Sequence, residues 1–196
     1  MKKTIRPGAS ITKRAITLAI SLLMVMQIMA INPTVTDASL VTPEYAIETL
    51  ISVGLLSQNS VKELESTVTR QEAIVILCQL LAYNSGNADT SPAPFYDVAD
   101  WARQAVAMAY NAGLVRGDEG QFGANNPLSH RDWLTFLLRA LGYNDPDDFA
   151  WVNSVNFARL IGFSADTGDT FTFGDVAALA YEALLLKLNN SDLKLI

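Results

Sequence analysis

Three short segments of the chain repeat one helix-start pattern. Each has an apolar residue, a hydroxyl residue, an acidic residue three positions after the hydroxyl, and a further apolar residue. The hydroxyl caps the free N–H groups of a new helix, the acidic side chain reaches back to the cap, and the apolar pair fixes the entry of the chain. Three such starts in one chain predict an internal repeat of a helical unit. The segments are Val68–Ala73, Leu128–Trp133 and Phe171–Val176.

The amino-terminal segment has the features of an export signal. Basic residues precede an apolar run from Ala15 to Ala30. This run is shorter than the roughly 20 residues that cross a bilayer. Small residues around Ala38 provide a cleavage site, so we expect residues 1–38 to be removed as a signal peptide. An uncleaved membrane anchor is the alternative.

The chain without this leader is acidic. The formal net charge is −6, and the leader holds five of the 14 basic residues but only one of the 20 acidic ones. An acidic domain does not bind nucleic acid or anionic lipid through bulk charge, so a few local cations must hold any anionic partner. After cleavage we expect neither nucleic acid nor a membrane as partner. The single cysteine, Cys78, lies in an apolar stretch, which predicts a buried thiol rather than a disulfide.

Each repeat is predicted to contain two helices, of which the first is amphipathic. These first helices are marked by caps, proline at the first position, apolar stripes and terminal glycines. A serine and glutamate pair at Ser60 and Glu63 predicts one extra turn in the first repeat. The predicted first helices run from Thr42 to Gly54, from Trp101 to Gly113 and from Phe149 to Ile161.

The helices that follow the three caps are apolar on nearly every face. Such helices must be surrounded by other elements. We therefore predict an all-α fold of three two-helix repeats with pseudo-threefold symmetry around a central three-helix bundle. The residues predicted to share its core are Ile74, Leu77, Leu81, Leu134, Leu137, Leu141, Leu179 and Leu184.

A series of aromatic, glycine and asparagine residues in the second repeat follows a known pattern. The series is Phe95–Val98, Trp101, Ala102, Ala105, Val106, Gly113–Val115, Gly117, Gly120, Phe122, Asn125–Leu128, Leu141 and Gly142. It resembles one full S-layer homology motif. The first repeat is similar through Ala46, Ile47, Gly54, Leu55 and Thr69–Glu72, and the third through Gly162, Thr172 and Asp175–Ala177.

The resemblance divides the chain into five segments. They are a signal peptide at 1–38, a first repeat at 39–90, a second at 91–145, a degenerate third at 146–190 and a tail at 191–196. Domains of this family carry three motifs on a pseudo-threefold bundle, which agrees with the architecture inferred from the apolar helices.

The resemblance implies a function at the bacterial surface. Such domains are non-catalytic modules that anchor exported proteins to the cell wall by binding a secondary cell-wall polysaccharide, often an anionic one that bears pyruvate ketals. The alternative is a secreted structural or protein-interaction module that keeps the fold without glycan binding. An anchor implies a cargo, so we expect the chain to belong to a longer parent protein.

In the family, a signature arginine and an aromatic residue of the neighbouring motif line the grooves. The signature position is Arg70 in the first repeat and Phe173 in the third; in the second it is His130, with Arg131 displaced by one. We predict one working groove, between the first and second repeats. The residues expected to bind ligand are Arg70, Trp101, Arg116, Gly117, Asp118, His130 and Arg131.

The predicted groove also has a physical rationale. Arg70 opens a helix, where free N–H groups and a guanidinium together suit a carboxylate, and Trp101 could cover a sugar ring. The glycine-rich loop from Gly117 to Gly123 could present backbone groups. Plainer alternatives are that Arg70 pairs with Glu72 or another acid, that Trp101 only packs, and that the loop is only a tight turn.

Enzymatic chemistry lacks suitable residues in this sequence. One histidine and one cysteine cannot build a His/Cys metal cluster. Ser129 beside His130 points to a different helix face and is not a catalytic pair. The aspartates at 145, 147 and 148 lack the spacing of a calcium loop. We therefore expect no enzyme activity, no metal and no cofactor.

Overall fold

A computed structural model describes residues 41–83, 86–164 and 170–195. Within these ranges the secondary structure is helical and no β-strand is formed, which confirms the all-α prediction. The predicted leader at 1–38, with its cleavage after Ala38, lies outside the described residues. No helix within the described ranges is long and apolar enough to cross a bilayer.

The described helices follow one another in the order that the sequence pattern predicts. They are α1 Pro43–Ser52, a 3₁₀ turn Gln58–Ser60, α2 Arg70–Leu80, α3 Asp100–Asn111, α4 His130–Ala140, a 3₁₀ turn Trp151–Asn153, α5 Ser154–Ile161 and α6 Phe173–Leu185.

The three repeated caps each begin a helix. The Glu72 carboxylate accepts a 2.8 Å hydrogen bond from the Thr69 N–H, and the Thr69 hydroxyl accepts one from the Glu72 N–H. Thr172 and Asp175 form the same reciprocal pair at the start of α6. Ser129 caps α4 by accepting a 3.1 Å hydrogen bond from the N–H of the acidic residue three positions later. The repeated pattern therefore locates the start of α2, α4 and α6.

Two other predicted helix starts are wrong. The turn before α2 is capped by Ser57, whose hydroxyl accepts from the Asn59 N–H, and Ser60 is its last residue. The helix predicted from Phe149 begins at Ser154 instead. Phe149 ends a preceding turn, because its N–H donates to the Asn144 carbonyl and its ring is buried.

The central bundle consists of α2, α4 and α6, which contact one another in all three pairings. The other helices lie outside it: α1 packs on α6, α3 on α2, and α5 on α4. Each outer helix therefore packs mainly on a central helix of a neighbouring predicted repeat. The pseudo-threefold relation between the repeats stays a prediction.

The predicted core residues lie inside this bundle. Seven of the eight are buried, whereas Leu81 is half-buried because it caps the carboxyl end of α2. Trp133 is fully buried and its indole N–H donates to the Val176 carbonyl at 3.2 Å, which ties α4 to α6.

Cys78 is a buried thiol, as predicted, and forms no disulfide with any described residue. Its sulfur lies 3.4 Å from the Ala105 carbonyl, to which it donates. Burial raises the pKa of the Cys78 thiol to about 12, so the reactive thiolate is negligible at neutral pH.

Candidate functional site

The glycine-rich loop from Gly117 to Gly123 is a fixed turn. Asp118 and Gln121 exchange two backbone hydrogen bonds, of 2.9 and 2.7 Å. A Cβ atom on Gly117 would lie 2.3 Å from the Gln121 carbonyl oxygen and 2.3 Å from the Phe95 ring. Only glycine fits at that position, so the loop can pack closely against Phe95.

The Asp97 carboxylate holds the far end of this loop. It accepts hydrogen bonds from the Phe122 N–H at 2.7 Å and the Ala124 N–H at 2.9 Å. Burial alone would raise the pKa of Asp97, but the backbone donors outweigh it and hold the pKa below its usual value. The Phe122 N–H, which lies in the loop, is therefore used by the fold and is not available to a ligand.

Arg70, the predicted signature residue, is already paired. Its Nη1 lies 2.9 Å from the Asp132 carboxylate and its Nε donates to the Phe122 carbonyl at 3.1 Å. The guanidinium carbon also lies over the rings of Phe122 and Phe136, at 4.8 and 5.3 Å. The alternative that Arg70 pairs with an acid is what the structure shows, although the acid is Asp132 rather than Glu72.

The backbone at the start of α2 is also occupied. The N–H of Arg70 donates to the Asn126 carbonyl at 3.0 Å, and that of Gln71 to the Ala124 carbonyl at 3.1 Å. The prediction of free N–H groups beside Arg70 is therefore wrong. Residues 124–126, which follow the glycine-rich loop, cover these N–H groups, a long-range contact that no local sequence signal marks.

A groove of about 500 Å³ runs between the start of α2 and the glycine-rich loop. It brings together four of the predicted ligand residues: Arg70, Arg116, Gly117 and Asp118. Two arginines and three carboxylates, Asp118, Glu119 and Asp132, lie along it. The groove therefore offers both cations and hydrogen-bond acceptors.

A smaller pocket of about 210 Å³ adjoins the groove and shares Arg70, Arg116 and Asp132 with it. Trp151 forms part of its rim and is 44% exposed. The Trp151 indole N–H donates to the Asp132 carboxylate at 3.3 Å. The guanidinium of Arg131 lies over the Trp151 ring at 4.8 Å. The exposed aromatic residue beside Arg70 is thus Trp151, from the predicted third repeat.

Trp101 lies in a different groove, of about 240 Å³, beside the Lys62–Glu72 ion pair. The prediction that Trp101 and Arg70 line one groove is wrong. Because α3 packs along α2, its first turn meets the face of α2 that carries Glu72 and Ile76, whereas Arg70 faces the glycine-rich loop.

The other two signature positions do not present arginine to a groove. His130 is half-buried and stacks on Phe171, with ring centroids 5.3 Å apart. Phe173 is fully buried in the core. Within the described ranges no group of three or more histidine, cysteine, aspartate or glutamate residues is arranged to hold a metal ion.

Sequence reasoning missed four residues of this site: Asp132, Arg139, Asp145 and Trp151. One signal was available for Trp151, because it precedes α5 much as Trp101 opens α3. For Arg139 and Asp145 there was no local signal. From the sequence, Arg139 is expected only as a basic residue in the last turn of α4, and Asp145 only as one residue of an acidic turn.

Comparison with known proteins identifies the segment that builds the groove. Residues 94–132 match the sequence profile of the S-layer homology domain. A cell surface protein of Thermoanaerobacter kivui is 34% identical over 88 residues, which cover 42% of this chain and 12% of that protein. Cell surface glycoprotein 1 of Acetivibrio thermocellus is 32% identical over 80 residues, which cover 39% of this chain and 4% of that protein. The chain thus spans only a small part of the length of either relative.

The matched segment and the groove coincide. Of the eleven residues that line the groove, ten lie between positions 94 and 132, and the eleventh is Arg70 at the start of α2. The segment of this chain that is similar to the S-layer homology domain, residues 94–132, therefore builds most of this groove.

Proposed function

We propose that this chain is a non-catalytic module that attaches a protein to the bacterial cell surface by binding wall polysaccharide. The observation that carries the proposal is that the S-layer homology segment supplies nearly the whole wall of the groove beside Arg70. The names of the two relatives, both cell surface proteins, support the same location. A position outside the cell belongs to this proposal and depends on the leader predicted at residues 1–38.

The ligand in this proposal is a secondary cell-wall polysaccharide that bears acidic pyruvate ketals. Arg116 is the accessible cation, with 61% of its side chain exposed, and can meet an acidic group. Trp151 is 44% exposed, and a sugar ring can stack on the aromatic face opposite the one that Arg131 covers. The carboxylates of Asp118 and Glu119 can accept hydrogen bonds from sugar hydroxyls.

Arg70 acts as a positioning residue in this proposal. Its side chain is only 14% exposed, and its partners are Asp132, the Phe122 carbonyl and two aromatic rings. Removing it would disturb the groove wall and the stability of the fold together. Arg116 is therefore the sharper residue for a binding test.

The test is co-sedimentation of the purified protein with wall material, before and after its secondary polysaccharide is stripped. We expect Arg116→Ala to weaken the affinity for the wall material at least about tenfold, because a charge-assisted contact contributes about 1.5–3 kcal/mol. Arg103→Ala is the matched control, since Arg103 is similarly exposed at 58% and also pairs with an aspartate. We expect this control to bind like the wild type.

Variants of the two exposed tryptophans, measured in the same assay, show which groove binds the polysaccharide. We expect Trp151→Ala to weaken binding about two- to tenfold and Trp101→Ala to leave it unchanged, because only Trp151 adjoins Arg70. A larger effect at Trp101 would move the site to the groove beside Lys62. Equal binding to stripped and intact wall material would contradict polysaccharide recognition.

A second candidate is a structural or protein-interaction module without glycan binding. Three observations favour it: Arg70 already holds Asp132, His130 stacks on Phe171, and Phe173 is buried. Failure of the folded wild type to sediment with intact wall material would establish this candidate over the first.

A further inference from the structure

Gln71, the second residue of α2, has a buried polar side chain that lies outside the groove lining. It is 4% exposed. Its Nε2 donates to the side-chain oxygen of Asn125 at 2.7 Å, and its Oε1 accepts from the Ala99 N–H at 3.1 Å. A buried amide is costly unless both its donor and its acceptor are bonded, and here both are. The Gln71 side chain therefore bridges α2 to two separate parts of the matched segment, residues 94–132.

The two parts that Gln71 joins also hold the glycine-rich loop. Ala99 follows Asp97 by two residues, and the Asp97 carboxylate accepts a 2.9 Å hydrogen bond from the Ala124 N–H. Asn125 comes directly after Ala124. A side chain that ties Ala99 to Asn125 therefore limits how far the backbone that carries the carboxylate can move from the backbone that donates to it.

A second helix start shows that docking of the helices does not need this bridge. At the start of α6, the Phe173 and Gly174 N–H groups donate to the Ser66 and Leu64 carbonyls, at 2.8 and 2.9 Å. The first two N–H groups of α2 are paired in the same way, and in both cases the two carbonyls lie three and five residues before a helix cap. The residue of α6 that corresponds to Gln71 is Gly174, which has no side chain. The bridge therefore serves the segment that it joins.

We propose that Gln71 is a positioning residue for the groove beside Arg70. It acts through residues 97–99 and 124–126, which hold the glycine-rich loop and include Asn126 of the groove lining. With the bridge intact, the loop keeps one position and a ligand does not have to order it on binding. The inference rests on the proposed function and adds a residue outside the groove on which binding depends.

Gln71→Met and Gln79→Met form a matched pair of variants. Methionine keeps an unbranched side chain of similar length and removes both hydrogen bonds. Gln79 lies on the same helix and forms a similar bridge, because it accepts from the Ser57 N–H and donates to the Ser60 hydroxyl, each at 3.0 Å. Neither of these partners lines the groove beside Arg70. Both variants should lower the midpoint of urea unfolding, so Gln79→Met controls for a general loss of stability.

Co-sedimentation with intact wall material measures the effect on binding. We expect Gln71→Met to weaken the affinity about two- to tenfold, the equivalent of about one hydrogen bond, and Gln79→Met to bind like the wild type. Asn125→Ala, at an exposed position outside the groove lining, removes one end of the bridge and should have a smaller effect in the same direction. If Gln71→Met does not fold, Asn125→Ala carries the test, and wild-type affinity in that variant overturns the role.

Amide hydrogen exchange of the full chain without ligand measures the positioning itself. Gln71→Met should accelerate exchange of the Phe122 and Ala124 N–H groups severalfold more than Gln79→Met does, because these two groups are bonded to Asp97. Gln79→Met should instead accelerate exchange of the Ser57 N–H. Equal exchange of Phe122 and Ala124 in the two variants would overturn the role of Gln71.

The two measurements separate this role from the proposed function. Faster exchange at Phe122 and Ala124 in Gln71→Met, without sedimentation of the wild type, removes wall anchoring and leaves Gln71 as the residue that holds the loop. Sedimentation of the wild type with unchanged affinity in Gln71→Met removes the role of Gln71 in binding and leaves wall anchoring in place.

Discussion

Single residues in the matched segment determine the shape of the groove. Gly117 lets the loop fold back against Phe95, and Asp97 ties the loop end to the start of the second predicted repeat. Neither residue needs to touch a ligand. Both instead fix the positions of the residues that line the groove.

Gly117→Ala should destabilise the fold by about 3 kcal/mol or more, because the new methyl group would overlap a backbone oxygen that cannot move without breaking the Asp118–Gln121 pair. Urea unfolding measures the change. Gly113→Ala is the control, since that position has open space and a φ of +75°. It should cost only about 1–2 kcal/mol from backbone strain. Equal costs at the two positions would argue against a tight loop.

Asp97→Asn should destabilise the fold at neutral pH by about 1.5–3 kcal/mol, because the carboxylate accepts two backbone hydrogen bonds. The folded-state pKa of Asp97 is lowered, so its stabilising effect is present above the unfolded pKa of about 4 and is lost as the pH falls through the folded value. Unfolding at pH 7 and near pH 2 should show the difference from wild type shrinking in acid. Asp100→Asn, whose side chain is 96% exposed, should show little difference at either pH.

At the scale of single elements, the helix starts marked by a capping pair are the ones that the sequence predicts correctly. Thr69, Ser129 and Thr172 each begin a helix, because a cap and its acidic partner lie three residues apart and act within one turn. The starts at Ser57 and Ser154 were not predicted. They depend on how the preceding segment packs, as the buried ring of Phe149 shows, and local spacing does not encode that packing.

Thr172→Ala should destabilise the protein by about 1 kcal/mol, because α6 loses the hydroxyl that caps its first turn. Thr172→Ser keeps the oxygen and should retain most of the stability. Thr170→Ala, at an exposed position two residues earlier, should have little effect. Thermal unfolding of the three variants measures the contribution. If Thr172→Ser lost as much stability as Thr172→Ala, the threonine methyl group rather than the capping hydroxyl would be the source of the stabilisation.

At the scale of the whole molecule, three apolar helices share one core. Leu137 on the central helix α4 is fully buried there. Leu137→Ala should therefore cost about 2–5 kcal/mol in the free energy of unfolding, from lost burial and the cavity left behind. Leu160→Ala, at a position 83% exposed on α5, should change it by about 0.5 kcal/mol or less. Chemical denaturation measures both. A small cost at Leu137 would contradict a shared core.

The candidate site was harder to predict than the core. The core follows from apolar periodicity, which each helix carries in its own sequence. The site joins Arg70 to Asp132 and Trp151, residues of three different predicted repeats. The choice of Trp101 as the aromatic partner failed because it assumed that motifs adjacent in sequence share a groove. The structure instead sets Trp101 against the Glu72 face of α2.

The packing of each outer helix on a central helix decides whether one motif can be removed without affecting the others. Because α3 lies on α2, α5 on α4 and α1 on α6, the described helices form a closed circuit in which the first meets the last. Residues 94–132, although recognisable as a sequence, contain α3 without its main partner α2. Excising one motif would expose apolar surfaces on two others instead of yielding a smaller stable protein. The interlocked set of helices, rather than a single motif, is therefore expected to fold as one unit.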